Sequence, residues 1–397
     1  MKIRFQVGLL VLVLSLTGCE TAQPDAEAAI APPEIPAEQP DQPAPLPIPE
    51  PVVTTNAPVE PVVVINTNPP PVAPAWLGVQ LFIQSDEAVN ALATAMPQLA
   101  SNGVNAIIIE VGYHFDFKSH PELRRGKVIT RAAAKNLAAV ARTNGVRLIP
   151  ELDCLGHQAL KNYTQAFLAT YPEFTEPSPS HPDPKTDYLK AWCPSDPRIE
   201  PIIFSLIDEI AEAFDADAFH VGMDEIFNLA SDRCPRCTGE DPAKLFAKVV
   251  NDLHAHIVDT NKLEMFMWGD RLLDAHQMGY SKWESSQIGT ARAIDLIPTN
   301  IVICDWHYAQ RATYPSVPFL LHKGFRVWPS GFQPLEASKA FSGYAQKMRA
   351  QNPRVAGYLC TTWSQGKPET VADWPPVKDI LKDWKAPATV STNNPAR

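Results

Sequence analysis

The chain has 397 residues, 20% of them charged, and a formal net charge of −10 at pH 7. An acidic balance of this kind carries no basic excess for a nucleic-acid partner. Its length and 45% apolar content suit a large folded core rather than a wholly disordered chain.

Residues 1–18 read as a secretory leader. Lys2 and Arg4 supply a positive start, Val7 to Leu16 an apolar run, and Leu16-Thr17-Gly18-Cys19 a small-residue cleavage site. The apolar run is short for a bilayer span. A cysteine directly after the small pair resembles the lipobox of bacterial lipoproteins. That resemblance implies lipidation of Cys19, a membrane partner reached through the N-terminal lipid, and a place in the cell envelope. Residues 19–75 then form an acidic linker. From Glu20 to Ala75 there are sixteen of the forty prolines, eight acidic residues and no Lys or Arg. Such a stretch buries little and predicts an extended tether. Residues 386–397 read as a disordered tail.

Residues 76–385 are expected to form one domain. Short apolar runs recur at Trp76–Ile83, Val104–Val111, Val146–Leu152, Ala218–Met223, Met265–Trp268, Ile301–Trp306, Phe325–Pro329 and Val355–Trp363. Runs of this length, rich in β-branched and aromatic residues, suit strands buried on both faces of a parallel sheet. Segments of helical period lie between them: Glu87–Ala100, Ala132–Arg142, Ile199–Phe214, Ala243–Thr260 and Leu335–Ala350. Gly103 and Gly145 fall where C-caps belong. Eight repeats of strand and helix predict an α/β fold, a (β/α)₈ TIM barrel. No G-x-G-x-x-G follows the first strand, which counts against a dinucleotide site.

A barrel of this type places chemistry at the C-terminal ends of its strands. Unusual polar residues fall there: Glu151 and Asp153 before Gly156-His157, then His220 to Glu225, Trp268-Gly269-Asp270, Asp305-Trp306-His307-Tyr308 and Thr362-Trp363-Ser364-Gln365. Strand alternation places His220, Gly222 and Asp224 on one face, with Gly222 leaving space beside a substrate. Adjacent carboxyls in a shielded pocket predict one raised pKa, as a general acid needs. The competing reading of Asp224-Glu225 is a helix N-cap.

His220-Val221-Gly222-Met223-Asp224-Glu225 resembles the His-x-Gly-Gly-Asp-Glu signature of family 20 glycoside hydrolases, the β-N-acetylhexosaminidases. Pro150-Glu151-Leu152-Asp153-Cys154-Leu155-Gly156-His157 is similar to that family's Pro-Glu-Ile-Asp-x-Pro-Gly-His segment. Met267-Trp268-Gly269-Asp270 and Thr362-Trp363-Ser364 fit its later tryptophan positions, and the similarity covers residues 100–365. The resemblance implies removal of terminal β-linked GlcNAc or GalNAc from amino-sugar glycans, with retention of configuration and the substrate's own 2-acetamido group as nucleophile. Glu225 is then the proton donor and Asp224 the partner of the acetamido N–H. Trp268, Trp306 and Trp363 are expected to wall the pocket, with Asp270 and Gln365 among the substrate contacts. Tyr308 is expected to meet the acetamido carbonyl, Tyr113 and Tyr358 being alternatives. Asp153, His157 and His220 supply a supporting layer that tunes the pair and contacts hydroxyls. No cofactor or metal is expected.

Several features depart from the pattern. Met223 stands at the second glycine and Leu155 at the proline. No arginine follows the first strand, Gln365 replaces a glutamate, and the usual preceding α/β domain is absent, which leaves the choice of sugar open. Cys234-Pro235-Arg236-Cys237 reads as half a zinc site, a redox motif or a loop disulfide. Without a second C-x-x-C the disulfide is expected, as Cys234–Cys237 or as two pairs that include Cys193 and Cys154. Two rival functions stand beside the glycosidase. One is a metal-dependent hydrolase using His157, His220 and Asp224, and the other a non-catalytic glycan-binding lipoprotein.

Overall fold

A computed structural model of the chain describes residues 73–384. The leader, Cys19, the linker and the tail lie outside them. Eight parallel strands close into a barrel: β1 (Trp76–Phe82), β2 (Ala106–Glu110), β3 (Arg147–Cys154), β4 (Ala218–Gly222), β5 (Glu264–Trp268), β6 (Val302–Trp306), β7 (Arg326–Gly331) and β8 (Gly357–Thr361). They follow one another around the barrel in chain order, and β1 closes the ring by pairing with both β2 and β8. Each expected apolar run forms a strand in its place. The strands are buried along almost their whole length, which is why they read as continuous apolar runs.

The main helices are α1 (Asp86–Asn102), α2 (Arg131–Thr143), α3 (Ile199–Ala213), α4 (Pro242–His254), α5 (Ser316–His322) and α6 (Leu335–Gln351). Their starts follow from capping residues. Ser85, Thr130 and Asp241 each accept a backbone N–H from the first turn of α1, α2 and α4. Gly103 ends α1 with φ +103, donating its N–H to Ala100 O, and Gly145 sits past α2 with φ +69. Because α4 begins at Pro242 with Asp241 as its cap, Asp224 and Glu225 cap no helix.

Two irregularities aim the site. On β3, Glu151 pairs with His220 and Cys154 with Gly222, so three steps of β3 face two steps of β4. A bulge of this kind re-aims side chains at a barrel rim, and here it turns Asp153 over the end of β4. A Cβ on Gly222 would lie 2.4 Å from Asp153 Oδ1. Gly222 therefore makes room for Asp153, not for a substrate as the alternation argument held. Gly222 and Met223 have φ of +66° and +75°, which breaks the period of two before Asp224 is reached.

At the opposite end the barrel is plugged by Trp328, whose ring packs 5.6 Å from Trp76 and 6.0 Å from Phe266. Gly78 lies under it, and a Cβ there would approach Trp328 Cζ2 to 2.2 Å and Leu359 Cδ1 to 2.8 Å. Neither neighbour can yield in a packed interior. Gly78→Ala is expected to cost about 1–3 kcal/mol through overpacking, read as a lower urea midpoint at unchanged m-value. An unaltered midpoint would contradict this packing.

Candidate active site

Asp224 and Glu225 sit directly after β4, in a loop running to Asp241, and His157 lies in the loop after β3. His157 Nε2 is 3.3 Å from Asp224 Oδ2 and 3.4 Å from Glu225 Oε2. The three side chains are shielded but not sealed, with 17% of His157 and under a tenth of each carboxyl exposed. Burial disfavours the His157 imidazolium, but the charges of Asp224 and Glu225 prevail and hold its pKa well above the usual histidine range. Burial likewise pushes Asp224 up, and the facing His157 outweighs it, so this carboxyl stays below its ordinary value. The carboxyls pushed well up are Asp153 and Glu110, by burial and then by neighbouring charge, from Asp224 and from Asp153 respectively.

The backbone at the pair is clamped from β5. Asp270 Oδ2 accepts the Glu225 N–H at 3.0 Å and is held by Arg271 Nε at 2.6 Å. Arg271 also donates to Ile226 O (3.3 Å), Lys282 O (2.8 Å) and Trp283 O (2.8 Å) and stacks 4.9 Å from the Phe227 ring centroid. Glu225 has φ +49, a left-handed conformation that non-glycine residues adopt at a cost of about 1 kcal/mol or more. The clamp holds it there. Burial raises Asp270 to about 6, with Arg271 working against the rise. With Arg271 and Trp306 on its oxygens, Asp270 is a support beneath Glu225, not the substrate contact expected from its strand-end position.

The three expected wall tryptophans divide. Trp268 is 1% exposed and donates Nε1–H to Glu151 Oε1 at 2.9 Å; Trp306 is 4% exposed and donates to Asp270 Oδ1 at 3.3 Å. Both form the floor. Trp363 remains half-buried, packs 5.6 Å from Trp268, and donates Nε1–H to Tyr308 Oη at 2.9 Å. Tyr308 is thereby singled out among the tyrosines. Tyr113 donates to Gln158 Oε1 (2.8 Å) and Tyr358 to Ser338 O (2.9 Å), both inside the core. His220 is fully buried, with Nδ1 2.8 Å from Glu151 Oε1 and its ring 4.6 Å from Trp268. It supports the floor and does not reach the mouth. His157, His220 and Asp224 consequently do not converge on one point, as a metal-dependent hydrolase would require. Gln365 is exposed beyond Trp363.

Sequence reasoning missed three residues and left a fourth, Glu151, without a role. Glu110 at the end of β2 accepts from Gln80 Nε2 at 3.1 Å, and Gln80 Oε1 accepts the backbone N–H groups of Thr362 and Trp363, both at 3.2 Å. Gln80 so ties β1 to the segment carrying Trp363. Tyr188, half-buried in the loop after β3, has its phenol pushed up by burial and then by Glu225, to which it is therefore a near neighbour. Only Glu151 had a signal, its place in the Pro-Glu segment. Met223 and Leu155, at the family's glycine and proline positions, have φ of +75° and +66°. The first value explains why glycine suits that position, and the second is closed to proline.

The cysteines correct another expectation. All six described cysteines are free thiols. Cys193 Sγ is 3.5 Å from Cys234 Sγ, against about 2.05 Å in a disulfide. Cys237 Sγ is turned away to Glu176, 3.2 Å from each of its oxygens. Cys154 is remote from them on β3, its thiol on Leu152 O at 3.4 Å.

The glycosyl hydrolase family 20 catalytic-domain profile matches residues 83–368. The chain belongs to this family. Among individual relatives, a beta-hexosaminidase of Akkermansia muciniphila is 29% identical over 111 residues, 27% of this chain and 21% of the relative. Beta-hexosaminidase subunit A2 of Dictyostelium discoideum is 30% identical over 125 residues, covering 30% and 21%, and a beta-hexosaminidase of Emericella nidulans 26% identical over 209, covering 49% and 32%. The alignments thus span a fifth to a third of these relatives' lengths. Among solved structures, a Vibrio harveyi family 20 exo beta-N-acetylglucosaminidase in complex with N-acetylglucosamine superposes with TM-score 0.58 at 15% identity, over 78% of this chain and 54% of that one. The Streptomyces coelicolor A3(2) family 20 beta-N-acetylhexosaminidase gives 0.56 at 14% identity, over 80% and 66%. These likenesses establish the barrel fold.

Two predictions follow from the supports of the site. Arg271→Met leaves Asp270 buried without its cation, so stability is expected to fall by about 3–5 kcal/mol. A fall below about 1 kcal/mol in urea denaturation would remove the clamp from this account. Behind Tyr308, His307 lies 2.8 Å from Glu284 Oε1 and 3.2 Å from Asp305 Oδ1. Burial disfavours its charge, but Asp305 and Glu284 raise its pKa to about 9. A raised folded-state pKa gives stability that is complete below the unfolded value of about 6.5 and is lost as pH rises through the folded one. Thermal stability should therefore decline between pH 6.5 and 9, and His307→Gln should flatten that decline while lowering stability at pH 6. A parallel decline in both proteins would contradict the assignment.

Proposed function

We propose that this protein is an exo-acting glycosidase that removes terminal β-linked N-acetylhexosamine, GlcNAc or GalNAc, from amino-sugar glycans by substrate-assisted catalysis with retention. One observation carries the reading. Asp224 and Glu225 are consecutive, on one loop, and joined by a single imidazole 3.3 and 3.4 Å away. Both then reach a sugar from the same side. The usual retaining scheme needs two carboxyls flanking the glycosidic bond about 5–5.5 Å apart, one of them attacking the anomeric carbon. A pair on one side cannot divide that work, so the attacking oxygen is the sugar's own 2-acetamido carbonyl.

The geometry supports a division of roles. Asp224, kept ionised by His157, accepts the acetamido N–H and opposes the positive charge that develops as the ring closes. Tyr308 accepts from Trp363, and its own O–H, which also lies within hydrogen-bond reach of Thr361, turns to the acetamido carbonyl and orients it for attack. Glu225 gives its proton to the departing glycosidic oxygen and then takes one from the incoming water. Trp363, with the floor of Trp268 and Trp306, offers an apolar face to the pyranose C–H groups. The beta-hexosaminidases and the beta-N-acetylglucosaminidase that this chain is similar to agree with this class of substrate. We further propose that Cys19 carries a lipid and that residues 20–75 tether the barrel in the bacterial cell envelope, most simply at the outer membrane.

Chromogenic β-N-acetylglucosaminide and β-N-acetylgalactosaminide are the direct test. Turnover is expected, with a thiazoline mimic of the cyclised intermediate inhibiting strongly. Glu225→Gln should lose roughly 10²–10⁴-fold in kcat and Asp224→Asn roughly 10²–10³-fold. Undiminished turnover by Glu225→Gln would sink the assignment. Globomycin-insensitive maturation, with unmodified Cys19 in mass spectra, would sink the anchor.

A further inference from the structure

We propose that Glu176, Cys193, Cys234 and Cys237 form a structural zinc site that fastens the loop after β3 to the loop after β4. One ligand atom from each of the four lies within 4.8 Å of all the others. All four side chains are buried, none more than 1% exposed, and Leu245 and Ala230 close the cluster on its apolar side. A tetrahedral zinc with Zn–S near 2.3 Å and Zn–O near 2.1 Å holds its sulfurs about 3.8 Å apart and sulfur from oxygen about 3.6 Å. Cys193 and Cys234 are 3.5 Å apart, and Cys237 is 3.2 Å from each Glu176 oxygen. The spacing suits coordination and is far too long for a disulfide.

The donor set selects the ion. Three thiolates and one carboxylate favour a borderline-soft divalent cation over magnesium or calcium, and four protein ligands in a closed apolar site mark a structural role. The surroundings fit as well. Ser231 donates its backbone N–H to Glu176 Oε1 at 2.8 Å, fixing that carboxylate. Arg236, between the two cysteines of the C-x-x-C, donates to Glu173 O at 3.0 Å and to Thr175 O at 3.4 Å, and stands 3.6 Å from Asp196. Its charge faces Cys193 and Cys234, as a site of three thiolates and one carboxylate around a dication, with net charge −2, would require. Zinc binding displaces the three thiol protons to solvent and involves no change of oxidation state.

The consequence is positional. Glu176 and Cys193 belong to the loop that begins with His157, and Cys234 and Cys237 to the loop that begins with Asp224 and Glu225. One ion would thus tie together the two segments that bring His157 against the carboxyl pair. C-x-x-C was half of the ligand set. The other half was hidden because Glu176 and Cys193 are 17 residues apart, in a long loop that only folding brings back.

The test is metal analysis of the full chain, purified without chelator from cells supplied with zinc. About one zinc per chain is expected, with Cys193, Cys234 and Cys237 alkylated only after denaturation in chelator. Cobalt exchange should give the intense visible bands and thiolate charge-transfer absorption of a tetrahedral site in the wild-type protein, so the result does not depend on any variant folding. Cys237→Ser should lower zinc content at least tenfold, while Cys360→Ser, outside the cluster, should retain it. Zinc below a tenth of an equivalent overturns the proposal, whether mass spectrometry of unreduced protein shows a disulfide at Cys234 or three free thiols. These readouts are independent of glycosidase activity.

Discussion

Crowding of negative charge at one end of the barrel is the constraint on which the site depends. Glu110, Glu151, Asp153, Asp224, Glu225 and Asp270 all gather there, and isolated buried carboxylates are prohibitively costly. The structure meets the problem in different ways at different residues. Asp270 is paired with Arg271, and Asp224 is faced by His157. Glu151 receives a hydrogen bond from Trp268 and lies 2.8 Å from the His220 imidazole. Glu110 and Asp153 are pushed toward the neutral acid. Glu110, Asp153 and Asp224 bear on one another's charge, so substituting one redistributes protons among the others. At the mouth His157 holds Asp224 below its ordinary range, with Glu225 next to it.

That electrostatic arrangement is bound up with backbone strain. Leu155, His157, Met223, Glu225 and Trp363 all have positive φ, and all lie just past strand ends at the same mouth of the barrel. Left-handed non-glycine residues persist only where their surroundings over-determine them. For Glu225 the surroundings are the Asp270–Arg271 pair; for Trp363 they are Gln80 Oε1 on its N–H and Tyr308 on its indole. Gly156 permits the approach of the two loops, since a Cβ there would come within 2.6 Å of Asp224 O. Strain, close approach and buried charge therefore coincide at His157, Asp224 and Glu225.

Much of this was legible in the sequence, for a physical reason. Strands enclosed by helices are apolar on both faces, so every strand announced itself as a short run, and Gly103 marked its helix end through the one conformation it alone adopts freely. The pair, His157 and Tyr308 were legible because they adjoin such runs. Depth was not. Strand-end position places Trp268, Trp306 and Asp270 at the right end of the barrel but cannot say that they lie beneath the pocket, since the β3 bulge and the turn at Gly222 shift residues off the alternating pattern. Gln80 and Tyr188 were invisible. One resembles any polar strand residue, and the other sits in a loop with no periodicity.

The same limit bears on the loops after β3 and β4. Residues 155–198 contain only short helical turns and a two-stranded hairpin, Ala159–Leu160 with Tyr163–Thr164. Loops this long in a compact domain need internal ties or a function. Several ties are polar: Gln158 holds Asp153 O and Gly156 O, and the Trp192 N–H returns to Leu155 O. The middle is tied within the loop by Glu176 N–H to Ala191 O and Cys193 N–H to Phe174 O, and to the neighbouring loop through Ser231 and Cys237. The positions of His157 and Glu225 relative to each other are thus set from two sides. Buried charge draws them together at the mouth, and the Glu176–cysteine contact joins their loops farther out.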